Sequence, residues 1–348
     1  MHKNLTLSIA IFLFIIITLT RTPQDTIYAY SQESLYTTSS PLKINVVSDK
    51  DVYNVGENVQ ICGNLTYYDE LLPDRLVALE IDDSNNFPFL FRTLATGTNL
   101  TGSWKIELTK VFPGDDKGNQ LYSVKRGSSI YIWVFFQNNF NDSVRTAIAY
   151  TIYDAKNAPI FAISPIEYSV APGGPWNTSY RWTVPTDAEL GNATIYASAF
   201  TTLPKSEGVP HCPEISETFT IVSQTTASIT YKASQSVYQL NITGNYNLTF
   251  TLPDHGIRLG NYTVFVAAAY KGIWELFPAT NTTKFKVILL GDINDDRKVD
   301  VKDLVLLIKA YGSYPDDPNW NPKADLNGDN KVDIKDLVIL IKNYGNYA

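Results

Sequence analysis

The sequence predicts a mainly β protein, with β-sandwiches in tandem and a small all-α module at the end. Three observations carry this. Short runs that alternate apolar and polar residues recur between turn clusters through most of the chain. The composition is rich in strand formers, with 22 Tyr and 16 Phe. Near the end, one acidic pattern is written twice, each copy leading into an apolar run of helical period.

At 348 residues the chain is long enough for several cores rather than one. Met1-His2-Lys3 and the apolar stretch LTLSIAIFLFIIITL read as a signal peptide over 1–29, cleaved after Ile27-Tyr28-Ala29. A retained membrane anchor is the alternative, and either reading places the rest outside the cytoplasm, secreted or at the cell surface. Residues 30–40 are polar and turn-prone, as in a linker.

A net charge of -7 and a pI near 5.1 leave no basic surface for nucleic acid or an anionic membrane. Sequons at Asn64, Asn99, Asn141, Asn177, Asn192, Asn241, Asn247, Asn261 and Asn281 agree with a glycoprotein. The two cysteines, Cys62 and Cys212, form one disulfide only if they meet in space, which the sequence leaves open.

The first sandwich is expected over 41–157. Its opening alternates on both sides of a turn at Tyr53-Asn-Val-Gly56-Glu57, and further strands are expected at 75–81, 89–95, 103–109, 129–137 and 144–153. The Tyr-x-x-Gly-Glu turn and the strand after it resemble the start of macroglobulin-type and other immunoglobulin-like surface domains.

A second repeat follows. Trp182-Thr-Val-Pro185 and Leu190-Gly-Asn-Ala-Thr-Ile195 match Phe250-Thr-Leu-Pro253 and Leu259-Gly-Asn-Tyr-Thr-Val264. Two small sandwiches in tandem, 158–223 and 224–290, are the expectation. The Leu-Gly-Asn turn resembles one in extracellular immunoglobulin-like domains, which implies spacers or adhesive stalks.

The last segment, 291–348, holds the acidic repeat. One copy reads DINDDRKVDVKDLVLLIKAYG from Asp292 and the other DLNGDNKVDIKDLVILIKNYG from Asp325, 33 positions on. Side-chain oxygens stand at loop positions 1, 3, 5, 9 and 12: Asp292, Asn294, Asp296, Asp300 and Asp303, then Asp325, Asn327, Asp329, Asp333 and Asp336. Lys298 and Lys331, at position 7, offer backbone carbonyls. A hard cation that takes roughly six to eight oxygens needs this spacing, and calcium fits where zinc, without His or Cys ligands, does not. Two calcium ions are expected, with folding coupled to their binding, because each metal-free loop crowds its carboxylates.

In each helix an inward stripe is expected at Leu304, Leu307, Ile308 and Tyr311, repeated as Leu337, Leu340, Ile341 and Tyr344. Gly312 and Gly345 end the helices. Position 6, which needs φ > 0, is Arg297 in one loop and Asn330 in the other, so the first loop is expected to be the weaker site. Three prolines break the connection over 313–323, where Trp320 is expected to pack on the paired helices.

This doubled loop and helix resembles a type I dockerin module, with Asp rather than Glu at position 12. The resemblance covers about the last sixth of the chain and implies docking onto a cohesin domain of another extracellular protein. Positions 10 and 11, which help choose the partner in that family, are Val301 and Lys302, then Ile334 and Lys335, where many members carry Ser-Thr pairs. Val305, Leu306, Val338 and Ile339, with Lys309 and Lys342, complete the expected contact.

Other chemistry is sparse. Beyond the N-terminal segment only His211 and His255 occur, in no metal or triad spacing. No phosphate loop or nucleophile elbow is present. Two acids that meet only in space would still serve a glycosidase, although Glu80, Asp82 and Asp83 read as the polar end of a strand and its turn. Trp176 and Trp274 read either as packing residues or as platforms for a polysaccharide, whereas Trp104, Trp133 and Trp182 read as core. The expectation is a secreted, non-catalytic surface protein. The alternative is a carbohydrate-binding or hydrolytic component of an extracellular polysaccharide-degrading assembly.

Overall fold

The structure, a computed structural model, describes residues 41–100, 104–223, 244–270 and 278–348. It is 51% strand and 8% helix, mainly β with a small helical module at the C-terminus.

The chain opens with β1 (Leu42–Ser48), β2 (Val52–Asn54), β3 (Asn58–Tyr67), β4 (Glu70–Leu71), β5 (Leu76–Asp82) and β6 (Pro88–Ala95). A second group follows: β7 (Ile106–Gly114), β8 (Ser123–Lys125), β9 (Ser129–Asn138), β10 (Val144–Tyr153), β11 (Pro159–Val170), β12 (Gly173–Thr183), β13 (Gly191–Phe200) and β14 (Ile215–Val222). Last come β15 (Asn245–Thr251), β16 (Gly260–Ala268), β17 (Ala279–Ile288) and two helices, α1 (Val301–Ala310) and α2 (Ile334–Asn343).

The strands do not close in the order expected. β15 pairs with β3, Asn245 opposite Asn64, and β16 pairs with β5, Thr263 opposite Asp82. One sandwich therefore combines the sheet β1-β3-β15 with the sheet β2-β17-β16-β5-β6, and the other combines β7-β9-β12 with β8-β14-β13-β10-β11. Apart from β4, which pairs with β3 in the host, the two strand orders are identical. Each sandwich has its own buried core, one around Val59, Leu79 and Phe285, the other around Ile132, Ile152 and Ile195.

This corrects the expected units 41–157, 158–223 and 224–290: one sandwich is inserted between β6 and β15 of the other. The repeat seen in the sequence relates β12 and β13 to β15 and β16, equivalent strands of host and insert. Their turns match as well, with Gly56 at φ 76° and Gly127 at φ 73°. Gly56 donates its N–H to Pro253 and Gly127 to Val184, while Val55 donates to Ile288 and Arg126 to Val222. Alternation reports which face a strand buries, not which strand it joins, so the insertion was invisible to it.

Small residues let the sandwiches pack closely. Ala78, Phe91 and Ala267 of the host meet Ala147, Ala149, Phe200 and Val209 of the insert. Thr151 accepts the Phe91 N–H at 2.7 Å and donates to the Phe91 carbonyl at 3.0 Å. Arg92 forks onto Glu214, with contacts of 2.5 to 3.1 Å; Glu214 is buried and the Arg92 side chain is only 11% exposed.

Several readings of single residues change. Glu80 and Asp82 are not an exposed strand end but are buried between the sandwiches. Asp83 does hold a turn, accepting N–H groups of Asn85 and Phe87. Trp182 is core, but Trp133 is only half-buried, under the turn that carries Gly114 and Gly118, its Nε1–H bonded to the Asp115 carbonyl. Cys62 and Cys212 lie in different sandwiches and are free thiols, that of Cys212 pushed up to about 12 by burial.

Candidate metal centre and docking helices

Each acidic repeat forms a loop whose side chains fold back on its own amides. Asp292 accepts N–H groups of Asp296 and Arg297, and Asn294 accepts that of Asp296 as well. In the second loop Asp325 serves Gly328, Asp329 and Asn330, and Asn327 serves Asp329. The oxygens at positions 1 and 3 thus gather around the same amide at position 5.

Asp303 is fully buried, one carboxylate oxygen accepting from Ile293 at 2.8 Å and Asn294 at 3.1 Å, the other from Asp300 at 2.8 Å. Asp336 repeats this with Leu326, Asn327 and Asp333. Asp300 and Asp333 are the helix N-caps, each accepting the N–H of the lysine two residues on and closing a capping box with the aspartate three residues on, Asp303 or Asp336.

Position 11 contributes what the motif did not foretell. The Lys335 ammonium lies 2.9 Å from Asp329, and Lys302 makes the equivalent contact with Asp296. The side-chain hydrogen bond from the lysine holds each of these exposed carboxyls below the usual carboxylate range. Burial, by contrast, lifts the Asp292 carboxyl. Among the described residues, no three His, Cys, Asp or Glu converge into a metal cluster. The donors are nevertheless all oxygen, and each loop draws a cation onto its position-5 carboxylate, so the residues fit a hard divalent ion.

The backbone meets the demands of such a loop. Arg297 and Asn330 have φ of 64° and 62°, and position 4 is left-handed too, at Asp295 (58°) and Gly328 (72°). Gly312 and Gly345 end the helices at φ of 83° and 92°. Val299 and Val332 tie the repeats together: Val332 bonds Gly312 and Ser313 behind α1, and Val299 bonds Gly345 and Asn346 behind α2.

The inward stripe is shifted from the one expected. Because position 12 must face the loop amides, each helix turns Asp303, Leu307 and Ala310, or Asp336, Leu340 and Asn343, inward. Leu304, Leu306, Leu337 and Trp320 pack partly on the same core. Ile308 and Tyr311, with Ile341 and Tyr344, point outward instead. Val301, Val305 and Ile308 form one outer stripe, and Ile334, Val338 and Ile341 its copy; Ile308 is 58% exposed and Ile341 59%. Leu306 and Ile339 are only half-exposed, whereas Lys302, Lys309, Lys335 and Lys342 are on the surface.

Residues 290–344 match the dockerin type I domain. No curated protein matches the chain. Among solved structures, the alkylpurine DNA glycosylase AlkC of Pseudomonas fluorescens, bound to DNA containing an abasic site analog, has 9% identity and a TM-score of 0.26. That match covers 35% of this chain and 31% of the other. A cycloisomaltooligosaccharide glucanotransferase of Paenibacillus has 12% identity and a TM-score of 0.26, over 34% of this chain and 14% of that one. A CARDB domain from Pyrococcus furiosus, in complex with di-metal ions, has 14% identity and a TM-score of 0.24, over 36% of this chain and all of that one. The chain thus spans less than a third of the length of the first two.

The dockerin segment packs against the host sandwich. Asn54 donates to Asn343 at 2.6 Å, and Ile293, Val299, Leu307 and Leu340 join the host core.

The remaining sites scatter. Asn99, Asn141, Asn177, Asn192, Asn247 and Asn261 are exposed; Asn64 and Asn281 are half-buried, Asn281 donating to the Ile44 carbonyl. Asn241 and Trp274 lie outside the described residues. Trp176 is 43% exposed, its Nε1–H on the Ala171 carbonyl at 3.2 Å. His211 Nε2 sits 2.9 Å from the Arg145 carbonyl, and His255 pairs with Asp254. Among the described residues no helix is long and apolar enough to cross a membrane, and the N-terminal segment lies outside them.

Proposed function

We propose that this chain is an extracellular, non-catalytic component that docks through its dockerin segment onto a cohesin domain, with the nested sandwiches as a rigid stalk. Type I dockerins bind calcium and cohesin domains. The observation that carries the reading is the duplicated outer stripe of the helices, apolar yet exposed, with lysines beside it. In this reading Asp292, Asn294, Asp296, Asp300 and Asp303, the Lys298 carbonyl and their copies in the second loop hold one calcium ion each. The ion would supply the positive charge that lets these oxygens crowd together and fixes where each helix starts.

The test is a pull-down of the full chain on immobilised cohesin domains with calcium or with chelator. Retention that depends on calcium and is lost in an Ile308→Asp/Ile341→Asp double variant supports the reading. Equal retention in chelator overturns it.

A carbohydrate-binding role is favoured by the exposed indole of Trp176 alone. Glycan-array binding that disappears in Trp176→Ala would establish it.

A further inference from the structure

β5 is buried on both faces. Val77, Leu79 and Ile81 enter the host core, and the alternate residues Ala78, Glu80 and Asp82 face the inserted sandwich. Glu80 is 0% exposed and Asp82 2%. The strands beside β5 place Phe91 and Phe265 opposite Glu80. From the insert, the short turn Pro204–Ser206 delivers Lys205 to this spot.

The Lys205 ammonium lies 3.1 Å from Asp82 Oδ2 and 3.3 Å from Glu80 Oε1. Its backbone N–H donates to Glu80 Oε2 at 2.9 Å and fixes that carboxyl in place. Asp82 Oδ1 and Glu80 Oε1 are buried without a well-aimed hydrogen bond. Two carboxylates sharing one ammonium leave a net negative charge largely away from water, which burial penalises. One added proton makes the site neutral. The same protons can then be redistributed as an amine, a carboxylic acid and a second carboxylic acid.

We propose that Lys205 and Asp82 close an amide bond between their side chains, with Glu80 moving the protons, and that this bond ties the two sandwiches together covalently. The Lys205 Nζ lone pair attacks Asp82 Cγ, the Nζ–Cγ bond forms, and the bond from Cγ to one carboxyl oxygen breaks. Glu80 takes a proton from the nitrogen and gives one to the departing oxygen, which leaves as water. Ammonium and carboxylate become amide and water, with no oxidant or other reagent. The amine and the carboxyl are already held in reach, which replaces a bimolecular encounter. Burial pushes the Glu80 carboxyl up to about 7, so that near neutral pH it can hold the proton the leaving oxygen needs. Lys205 is 31% exposed, which gives the water a way out.

Peptide mapping and intact mass of the full chain test this. The expected result is a chain lighter by one water than Lys205→Arg after allowing for the substitution. A branched tryptic peptide should join residues 76–92 to the segment around Lys205, with no cleavage after Lys205. Asp82→Asn should reach the same product mass by releasing ammonia, and Glu80→Gln should remain open. A wild-type chain with no mass loss and trypsin cleavage after Lys205 overturns the bond. Closure of Glu80→Gln at the wild-type rate overturns the role given to Glu80.

Discussion

The Lys302 ammonium lies 2.8 Å from the Asp296 carboxylate, within the loop expected to hold a metal. Lys335 and Asp329 repeat the contact. Both lysines were read from the sequence as partner contacts at position 11, yet here each is engaged by its own loop. A divalent ion would compete with the ammonium for the same oxygen. Lys302→Met should therefore raise the calcium affinity of the first loop, and Lys335→Met that of the second, each by a fewfold, as a nearby charge does at a solvent-exposed site. Calorimetric titration of the two variants checks this, and an unchanged or lower affinity would show that the lysine is not a competitor.

The two loops should not bind equally. The first asks two residues with side chains, Asp295 and Arg297, to hold left-handed backbone, whereas the second uses Gly328 and Asn330. For an ordinary residue that conformation costs about 1 kcal/mol more than for Gly. Arg297→Gly should strengthen the first site by roughly that amount, and wild type should titrate with the first site weaker. Two equal sites, or a tighter first one, would contradict the argument.

Much of the geometry of the two acidic loops was legible in the sequence because loop positions are set by local geometry. The spacing of Asp292, Asn294 and Asp296, the φ at position 6 and the terminating glycines all follow from near neighbours in the chain. The inward stripe was misplaced because the helix phase is set by Asp303, whose amide partners lie about ten positions back. The sandwiches show the same division. Strands β5, β6, β9 and β10 lie close to where alternation puts them, whereas their pairing depends on contacts across an entire inserted domain. Glu80 and Asp82 were misread for the same reason, since Lys205 and the face that buries them belong to the other sandwich.

The Arg92–Glu214 pair should matter more to the joined sandwiches than any surface pair. Its guanidinium is stacked 3.7 Å from the Tyr196 ring centre, and Glu214 also accepts the Thr93 N–H at 2.8 Å. Arg92→Ala would strand a buried carboxylate and should cost roughly 3–5 kcal/mol. Arg92→Met with Glu214→Gln, which keeps an acceptor for Thr93, should recover most of that loss. Urea unfolding of the three proteins measures both effects, and a single variant as stable as wild type would show the pair to be dispensable.

Ring closure at Lys205 should depend on pH through Glu80. Its carboxyl is raised from 4.5 to about 7, first by burial, so its proton is held below that value and lost above it. The departing oxygen needs this proton, and without it the site carries a net negative charge that keeps Lys205 an ammonium. Chain refolded from denaturant should therefore close more slowly as the pH rises through about 7. The fraction of branched peptide against time gives the rate, and faster closure at alkaline pH would point to amine deprotonation as the controlling step.

The last residues connect the first acidic loop to both sandwiches. The Tyr347 carbonyl accepts the Gly256 N–H at 3.2 Å, its ring lies 5.2 Å from that of His255, and its hydroxyl reaches Asp187 of the insert at 3.4 Å. The same tail pairs with the loop: Gly345 donates to Val299, Val299 to Asn346, and Ala348 to Arg297. The Lys298 carbonyl, expected to face the ion, sits between those bonds. Removing calcium should loosen the tail and expose the Gly256 amide, which is otherwise protected through Tyr347. Hydrogen exchange should show Gly256 and Val299 exchanging faster in chelator than in calcium. In Tyr347→Ala the Gly256 amide should exchange quickly in both conditions, while Val299 remains sensitive to calcium. If chelator left Gly256 unchanged in wild type, the loop would be uncoupled from the sandwich it rests on.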